Sequence, residues 1–168
     1  MILHKGKYLN LVCEGSWEYV KRNNCSGVVV IVPMTSSGNV VFVEQFRRPV
    51  EAQVIEWPAG LVNDKMSHDS ETMEAAARRE LFEETGYEAE HLALLVGGPV
   101  SSGLSSEIIT FYQALDVVKK GSGGGDVTES IKVHEIPLKE ADLWLYEMER
   151  KGFLVDPKIY VGLYFLKT

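Results

Sequence analysis

Polar and apolar positions alternate through residues 7–22, which carry Tyr8, Leu9, Leu11, Trp17 and Tyr19, and this predicts a hairpin of strands. Residues 27–33, Gly-Val-Val-Val-Ile-Val-Pro, form an unbroken β-branched run, as expected of a strand covered on both faces. The turn Ser36-Ser37-Gly38-Asn39 leads into Val40–Phe46, so these two strands are expected to form a hairpin. Val54–Trp57 reads as a short strand stopped by Pro58. The pattern then changes period. Met73, Ala76, Ala77 and Leu81 recur at helical spacing over 73–84, with Thr72 placed to cap the start and Gly86 to end it. Leu92–Val96, Ile108–Leu115 and Ser130–Ile136 read as strands. Ala141, Leu145 and Met148 predict a helix over 139–150, and Asp156-Pro157 opens a last one. The expected fold is α/β: a mixed sheet sandwiched by helices, with an N-terminal antiparallel strand extension.

Composition sharpens this reading. The 168 residues suit one domain, and with 45% apolar and 24% charged residues a core can be buried without disulfides. The net charge of −7 argues against a general nucleic-acid or anionic-membrane binder, since both need positive surface. Cys13 and Cys25 lie in different segments without a CxxC or a neighbouring His, so they form no zinc site alone and fit a reducing compartment. The first residues are interrupted by polar side chains too early for a signal-peptide core, and no apolar run approaches the ~20 residues of a membrane span. A cytoplasmic protein is expected. His4, His68, His91 and His134 are scattered without ligand spacing. The run Gly121-Ser122-Gly123-Gly124-Gly125 lacks the Gly-Lys-Ser/Thr of a P-loop and reads as a flexible loop.

The chemistry is concentrated in Glu80-Leu81-Phe82-Glu83-Glu84. Spacings of three and four put all three carboxylates on one helix face, near the helix end where the dipole is already negative. A solvated acidic face is the ordinary reading of such a helix. A bound divalent cation is the other, because Mg²⁺ takes hard oxygen ligands and bridges carboxylates to phosphates.

The neighbours decide between them. Gly60, then Glu71, seven residues, and Arg79-Glu80-Leu81-Phe82-Glu83-Glu84-Thr85-Gly86-Tyr87 resemble the signature of the Nudix hydrolases. The stretch from Glu71 onward fits the pattern. Upstream, ten residues rather than the usual five separate Gly60 from Glu71, which reads as a lengthened polar loop. Gln45-Phe46-Arg47-Arg48-Pro49, Glu56-Trp57-Pro58-Ala59-Gly60-Leu61, Gly6-Lys7-Tyr8 and Trp17–Arg22 are similar to segments of the ADP-ribose pyrophosphatase subgroup. Where that subgroup carries Ser-Pro-Gly, this chain has Ser101-Ser102-Gly103, which loosens the expectation about the sugar.

The resemblance implies a Nudix-type α/β/α sandwich, with residues 1–26 as a strand extension that joins a homodimer and 27–168 as the hydrolase domain. It implies Mg²⁺, with Mn²⁺ as the alternative, held by Glu80, Glu84, Glu83 and the Ala59 carbonyl. Arg79 orients the carboxylates through an i,i+4 pair, and Gly60 and Glu71 are structural. Tyr8 and Trp17 match the aromatics that sandwich the base, one from each subunit; ordinary strand core is the competing reading. Glu18 and Arg22 are placed to read the base edge, Gly103 and Leu104 to line the substrate loop. Arg47 is placed to hold a phosphate, or else is surface charge. Glu129, in Asp126-Val127-Thr128-Glu129, matches a loop glutamate that acts as general base, with Asp126 as its rival. The implied reaction is Mg²⁺-dependent cleavage of ADP-ribose to AMP and ribose 5-phosphate. A preference for another nucleotide sugar such as GDP-mannose is the alternative within enzymes, and a non-catalytic nucleotide sensor the alternative outside them.

Overall fold

The structure is a computed structural model, and it describes residues 1–23, 25–63, 70–125 and 130–168. The N-terminal alternation folds as expected into antiparallel strands, β2 (Leu9–Glu14) and β3 (Trp17–Arg22), turning at Gly15 with φ 61°. A preceding strand, β1 (Ile2–Lys5), adds to the edge of β2. It was not expected, because its four residues are all exposed and carry no buried periodicity. Together β1–β3 form a separate three-stranded sheet.

The β-branched run becomes β4 (Gly27–Met34), whose Val29, Val30, Ile31 and Val32 are fully buried. Their side chains divide by parity, as the two-residue strand period requires. Val30 and Val32 join one core, with Phe42, Trp57, Leu145, Ile159 and Leu163. Val29 and Ile31 join the other, with Val41, Ala76, Ala77 and Leu81. The expected hairpin between β4 and β5 (Asn39–Arg47) closes only at its turn, where Met34 faces Val40. Beyond that point the ladder positions of β4 are taken by the chain that follows Pro58. Ile31 N–H donates to the Pro58 carbonyl (2.8 Å), and β7 (Ala59–Val62) pairs antiparallel with Gly27–Val30. The other edge of β4 runs parallel to β10 (Ile108–Leu115), which carries β9 (Ala93–Pro99). Strand β5 pairs instead with β6 (Ala52–Glu56) and β12 (Lys132–Pro137), and β6 accepts the short parallel β13 (Leu154–Val155). A two-residue ribbon joins β8 (Tyr87–Glu88) to β11 (Val118–Lys119).

Helix α1 (Met73–Thr85) lies on one face of this mixed sheet, and α2 (Ala141–Arg150) and α3 (Lys158–Lys167) contribute to the core on the other. The expected α/β/α sandwich with its N-terminal antiparallel sheet is therefore the observed fold. The ends of α1 obey the sequence signals: Thr72 accepts a hydrogen bond from Ala75 N–H (3.1 Å), and Gly86 closes the helix in the left-handed region at φ 75°. On the opposite face Trp57 lies against Gly162 of α3, where a Cβ would stand 2.5 Å from the indole nitrogen. The indole N–H donates to the Lys158 and Ile159 carbonyls (3.2 Å each). That packing fixes the chain on both sides of Pro58, and so fixes Glu56 and Ala59.

Candidate active site

Helix α1 turns its apolar residues Ala76, Ala77 and Leu81 into the core and Arg79, Glu80 and Glu84 toward β7. The approach is close because residue 60 is glycine: a Cβ there would lie 1.9 Å from the Glu80 carboxyl carbon. Arg79 occupies the middle of the interface. Its Nε and Nη2 donate to Glu71 (2.8 and 3.1 Å), its Nη1 to Glu80 (2.7 Å) and Glu83 (3.2 Å), and its Nη2 also to the Leu61 carbonyl (3.0 Å). These hydrogen bonds, those to Glu71 foremost, push the arginine further toward its charged form. The expected i,i+4 pair from Arg79 to Glu83 is thus present, inside a wider network. Glu84 is buried and accepts a hydrogen bond from the Ala59 N–H (3.2 Å).

Glu71 is structural in a specific sense. Its N–H donates to the Asn63 side chain (2.7 Å), and its carboxylate accepts from the Asn63 N–H (3.5 Å). The lengthened stretch between Gly60 and Glu71 is therefore pinched shut at its ends. The extra residues leave the helix start undisturbed, and those at 64–69 lie outside the described residues.

Arg22, Arg47, Ala59, Gly60, Arg79, Glu80 and Glu83 line one cleft of about 420 Å³. Three further charged residues that the sequence reading left unassigned line it too: Glu56, Glu107 and Lys158. Glu56 accepts a hydrogen bond from Arg47 Nε at 2.6 Å. Burial pushes its carboxyl up, against the opposing pull of Arg47. Glu107 accepts from Arg22 Nε at 2.5 Å, and Lys158 pairs with Asp156. The signal for Glu56 was its place two residues before Pro58, next to a tryptophan that had to be buried. For Glu107 and Lys158 the sequence offers no comparable signal, since both enter the cleft through long-range packing.

The remaining candidates lie elsewhere in the chain. Tyr8 and Trp17 are 61% and 62% exposed on the N-terminal sheet, so the strand-core reading of these aromatics does not hold. Lys7 Nζ stands 4.9 Å from the centre of the Tyr8 ring. Trp17 and Gly103 border a shallow depression with Tyr19 and Ser105, and Glu18 is exposed. Leu104 has an exposed side chain, while its carbonyl accepts from Val20 N–H (2.8 Å) and ties β3 to the 101–107 loop. Beside the cleft, and sharing Arg22, Val28 and Glu107 with it, lies a mainly apolar pocket of about 360 Å³. Glu129 and Asp126 lie outside the described residues.

The donor chemistry suits a hard divalent cation. Four carboxylates (Glu71, Glu80, Glu83 and Glu84) surround the guanidinium of Arg79 or stand beside it, leaving an excess of negative charge that oxygen-seeking cations offset. Among the described residues no three acidic, His or Cys side chains converge as a ready-made ligand set. Glu80 and Glu83 bond Arg79 while Glu84 bonds Ala59, so a cation held by these carboxylates would share them with Arg79.

Comparison with known proteins places this geometry in a family. The NUDIX domain profile matches residues 25–154, and the chain belongs to the Nudix family. It is similar to the methanol dehydrogenase activator of Bacillus methanolicus, with 33% identity over 142 residues, covering 84% of this chain and 72% of that protein. It is also similar to the ADP-ribose pyrophosphatase of Bacillus subtilis (strain 168), with 34% identity over 116 residues, 68% of this chain and 60% of that one. The GDP-mannose pyrophosphatase of Escherichia coli (strain K12) shares 32% identity over 151 residues, 85% of this chain and 74% of that one. A crystal structure of an ADP compounds hydrolase has the same fold, with a TM-score of 0.72 at 17% identity, covering 99% of this chain and 89% of the other. No described helix is long and apolar enough to cross a membrane.

Proposed function

We propose that this chain hydrolyses the pyrophosphate bond of a nucleoside diphosphate sugar with the help of a divalent cation, Mg²⁺ or Mn²⁺, and that ADP-ribose is its first candidate substrate. The observation that carries the reading is the cleft itself. It sets the carboxylates of α1 and the guanidinium groups of Arg22 and Arg47 around one space. Anionic phosphates need cations, and a cation-binding carboxylate set facing arginines supplies both kinds of contact.

Glu80, Glu83 and Glu84, with the Ala59 carbonyl, would hold the cation. When bound, such an ion neutralises phosphate charge and lowers the pKa of water. Arg79 holds the carboxylates in register from behind. Arg47 presents its guanidinium to a phosphate, and the buried Glu56 fixes its direction. Arg22 does the same from β3, anchored by Glu107. Glu129 is the proposed acceptor of the proton from the attacking water. Residues 1–26 form the proposed base-binding and dimer-forming extension, in which Tyr8 and Trp17 from two subunits sandwich the base, near Glu18, Gly103 and Leu104. Their exposure supports a partner's arrival, because large aromatics left in water forgo the burial that a second surface would supply. A reducing compartment such as the cytoplasm is the proposed location.

Phosphate released by a coupled phosphatase, with and without Mg²⁺, tests the reaction. A panel of ADP-ribose, GDP-mannose and other nucleotide sugars tests the substrate. Cation-dependent release with ADP-ribose favoured supports the proposal. GDP-mannose favoured instead would transfer the assignment to the alternative that the Escherichia coli relative suggests. No release from any member would sink the hydrolase reading in favour of a nucleotide sensor.

A further inference from the structure

Residues 121–125 do not hang from the sheet as a linker; they cross the C-terminal end of α1. Gly125 N–H donates to the Glu83 carbonyl (3.0 Å) and Gly124 N–H to the Glu84 carbonyl (2.9 Å). Lys120 and Gly121 N–H groups both donate to the Gly86 carbonyl (2.8 and 2.9 Å). An α-helix leaves its last four carbonyls without partners inside the helix. In α1 the Phe82 carbonyl is satisfied by the Gly86 N–H (2.8 Å), and the next two by this crossing segment. Those two belong to Glu83 and Glu84, whose side chains reach Arg79 and Ala59.

The crossing requires glycine at particular places. Gly123 has φ 65°, and a Cβ there would lie 2.4 Å from the Thr85 carbonyl carbon and 2.7 Å from the Glu84 carbonyl oxygen. Gly86 has φ 75°, and its Cβ would meet the Gly121 carbonyl oxygen at 2.2 Å. The two backbones therefore touch where side chains are missing from both. The electrostatics agree. Acidic side chains crowd the negative end of the α1 dipole, and the crossing segment brings backbone N–H groups, the positive ends of peptide dipoles, to that end.

We infer that the glycine run 121–125 is a positioning element of the active site. Its backbone locks the last turn of α1, so that the Glu83 and Glu84 carboxylates stay in register with Arg79 and Ala59, and Gly86 and Gly123 are the residues that permit the lock. The inference rests on the proposed cation-binding role of those carboxylates.

The test uses the full chain and Mn²⁺ as probe, with binding read by electron paramagnetic resonance and turnover read separately. Gly123→Ala should weaken Mn²⁺ binding about 10–100-fold, as loss of an outer support typically does. At saturating Mn²⁺ its kcat should stay low while its KM for nucleotide is unchanged. Gly121→Ala is milder, because its Cβ meets the Phe82 ring at 3.0 Å and comes no nearer to backbone than 3.8 Å, at Gly86 Cα, and should weaken binding a few-fold in a folded protein; it decides the matter if Gly123→Ala does not fold. Gly38→Ala is the control: its φ of 79° imposes similar backbone strain, but nothing lies within 4 Å and it lines no part of the cleft. It should leave Mn²⁺ affinity at the parental value. Variants at 121 and 123 that bind Mn²⁺ like the parent overturn the positioning role alone. A parent that binds no Mn²⁺ overturns the cation-binding reading, and the positioning role with it.

Discussion

The α1–β7 interface and the N-terminal sheet are both candidate binding regions, yet they are built in opposite ways. At the interface each charged group has a partner: Arg79 bonds three carboxylates and a carbonyl, and Glu84 takes a backbone N–H. On the N-terminal sheet Tyr8, Leu9 and Trp17 are exposed, and the sheet meets the body through Val20, Arg22 and the 101–107 loop. One chain is enough to bring the α1 carboxylates together with Arg22 and Arg47. It is not enough to enclose a base between Tyr8 and Trp17. The proposed cation site is therefore a property of the fold, whereas the proposed base recognition would depend on what the exposed sheet meets.

The most damaging way to break the ordered side of this comparison is Arg79→Ala. Removing the guanidinium strands Glu71 and Glu80, whose side chains are 10% and 13% exposed, without their cation. Breaking a buried ion pair from one side costs about 3–5 kcal/mol, and chemical denaturation should show a loss of that order together with lost turnover. Arg79→Lys keeps the charge but cannot span Glu71, Glu80 and the Leu61 carbonyl at once, so it should rescue only part of the stability. An Arg79→Ala protein as stable as the parent would show that the network is ornamental.

Glu84→Gln separates chemistry from stability at the same site. The amide keeps an oxygen to accept from the Ala59 N–H, and it removes one negative charge from the crowded helix end. Turnover should fall by more than about 10²-fold, the scale of a lost metal-assisted step, while the melting temperature is held or raised. Near-parental activity would falsify the ligand assignment.

The ordered side was also the more legible in sequence. Thr72, Gly86 and the 3.6-residue spacing set the ends and buried face of α1, and the charges Arg79 to Glu84 sit where that spacing puts them. What stayed hidden depends on residues distant in the chain. Strand β7 has four residues and exists because β4 offers Val28–Val30 as partners, so no local pattern announces it. The β4–β5 turn was visible, but not the divergence of its strands, which follows from β7, β10, β6 and β12 taking the remaining edges. The glycine run showed its conformational freedom in the sequence, whereas its contact with Glu83 and Glu84 is purely tertiary.

On the exposed side, Trp17→Ala should leave folding nearly untouched, within about 0.5 kcal/mol, as for most surface positions. Its effect belongs in binding. Stacking of a base on an aromatic is worth about 1–3 kcal/mol in nucleic-acid sites, so KM should rise for every nucleotide sugar with kcat preserved. Sedimentation of the parent should show a dimer at assay concentration. A monomer with KM unchanged in Trp17→Ala would move the base to the apolar pocket beside Arg22 and Glu107, where one chain suffices.

The smallest expected effect tests a tie just beyond the catalytic helix. Tyr87 is buried at the end of α1, and its hydroxyl donates to Glu135 of β12 at 2.6 Å, with Asn39 donating to the same carboxylate at 2.8 Å. The Tyr87 hydrogen bond, then that of Asn39, holds the Glu135 carboxyl below its ordinary value, while burial ahead of Glu135 pushes the Tyr87 phenol up to about 12. A carboxylate whose pKa is depressed by folding adds stability above its unfolded value and loses it as pH falls through the folded value. The phenol, raised by folding, adds stability below its unfolded value and loses it as pH climbs toward 12. Tyr87→Phe should therefore cost about 1 kcal/mol near neutral pH, the net worth of one such hydrogen bond with a partly solvated partner. The difference from the parent should shrink in acid, below the usual carboxylate range, as Glu135 takes up its proton. A gap between parent and variant that stays constant from neutral pH down through that range would mean that what the Tyr87 hydroxyl contributes does not depend on the charge of Glu135.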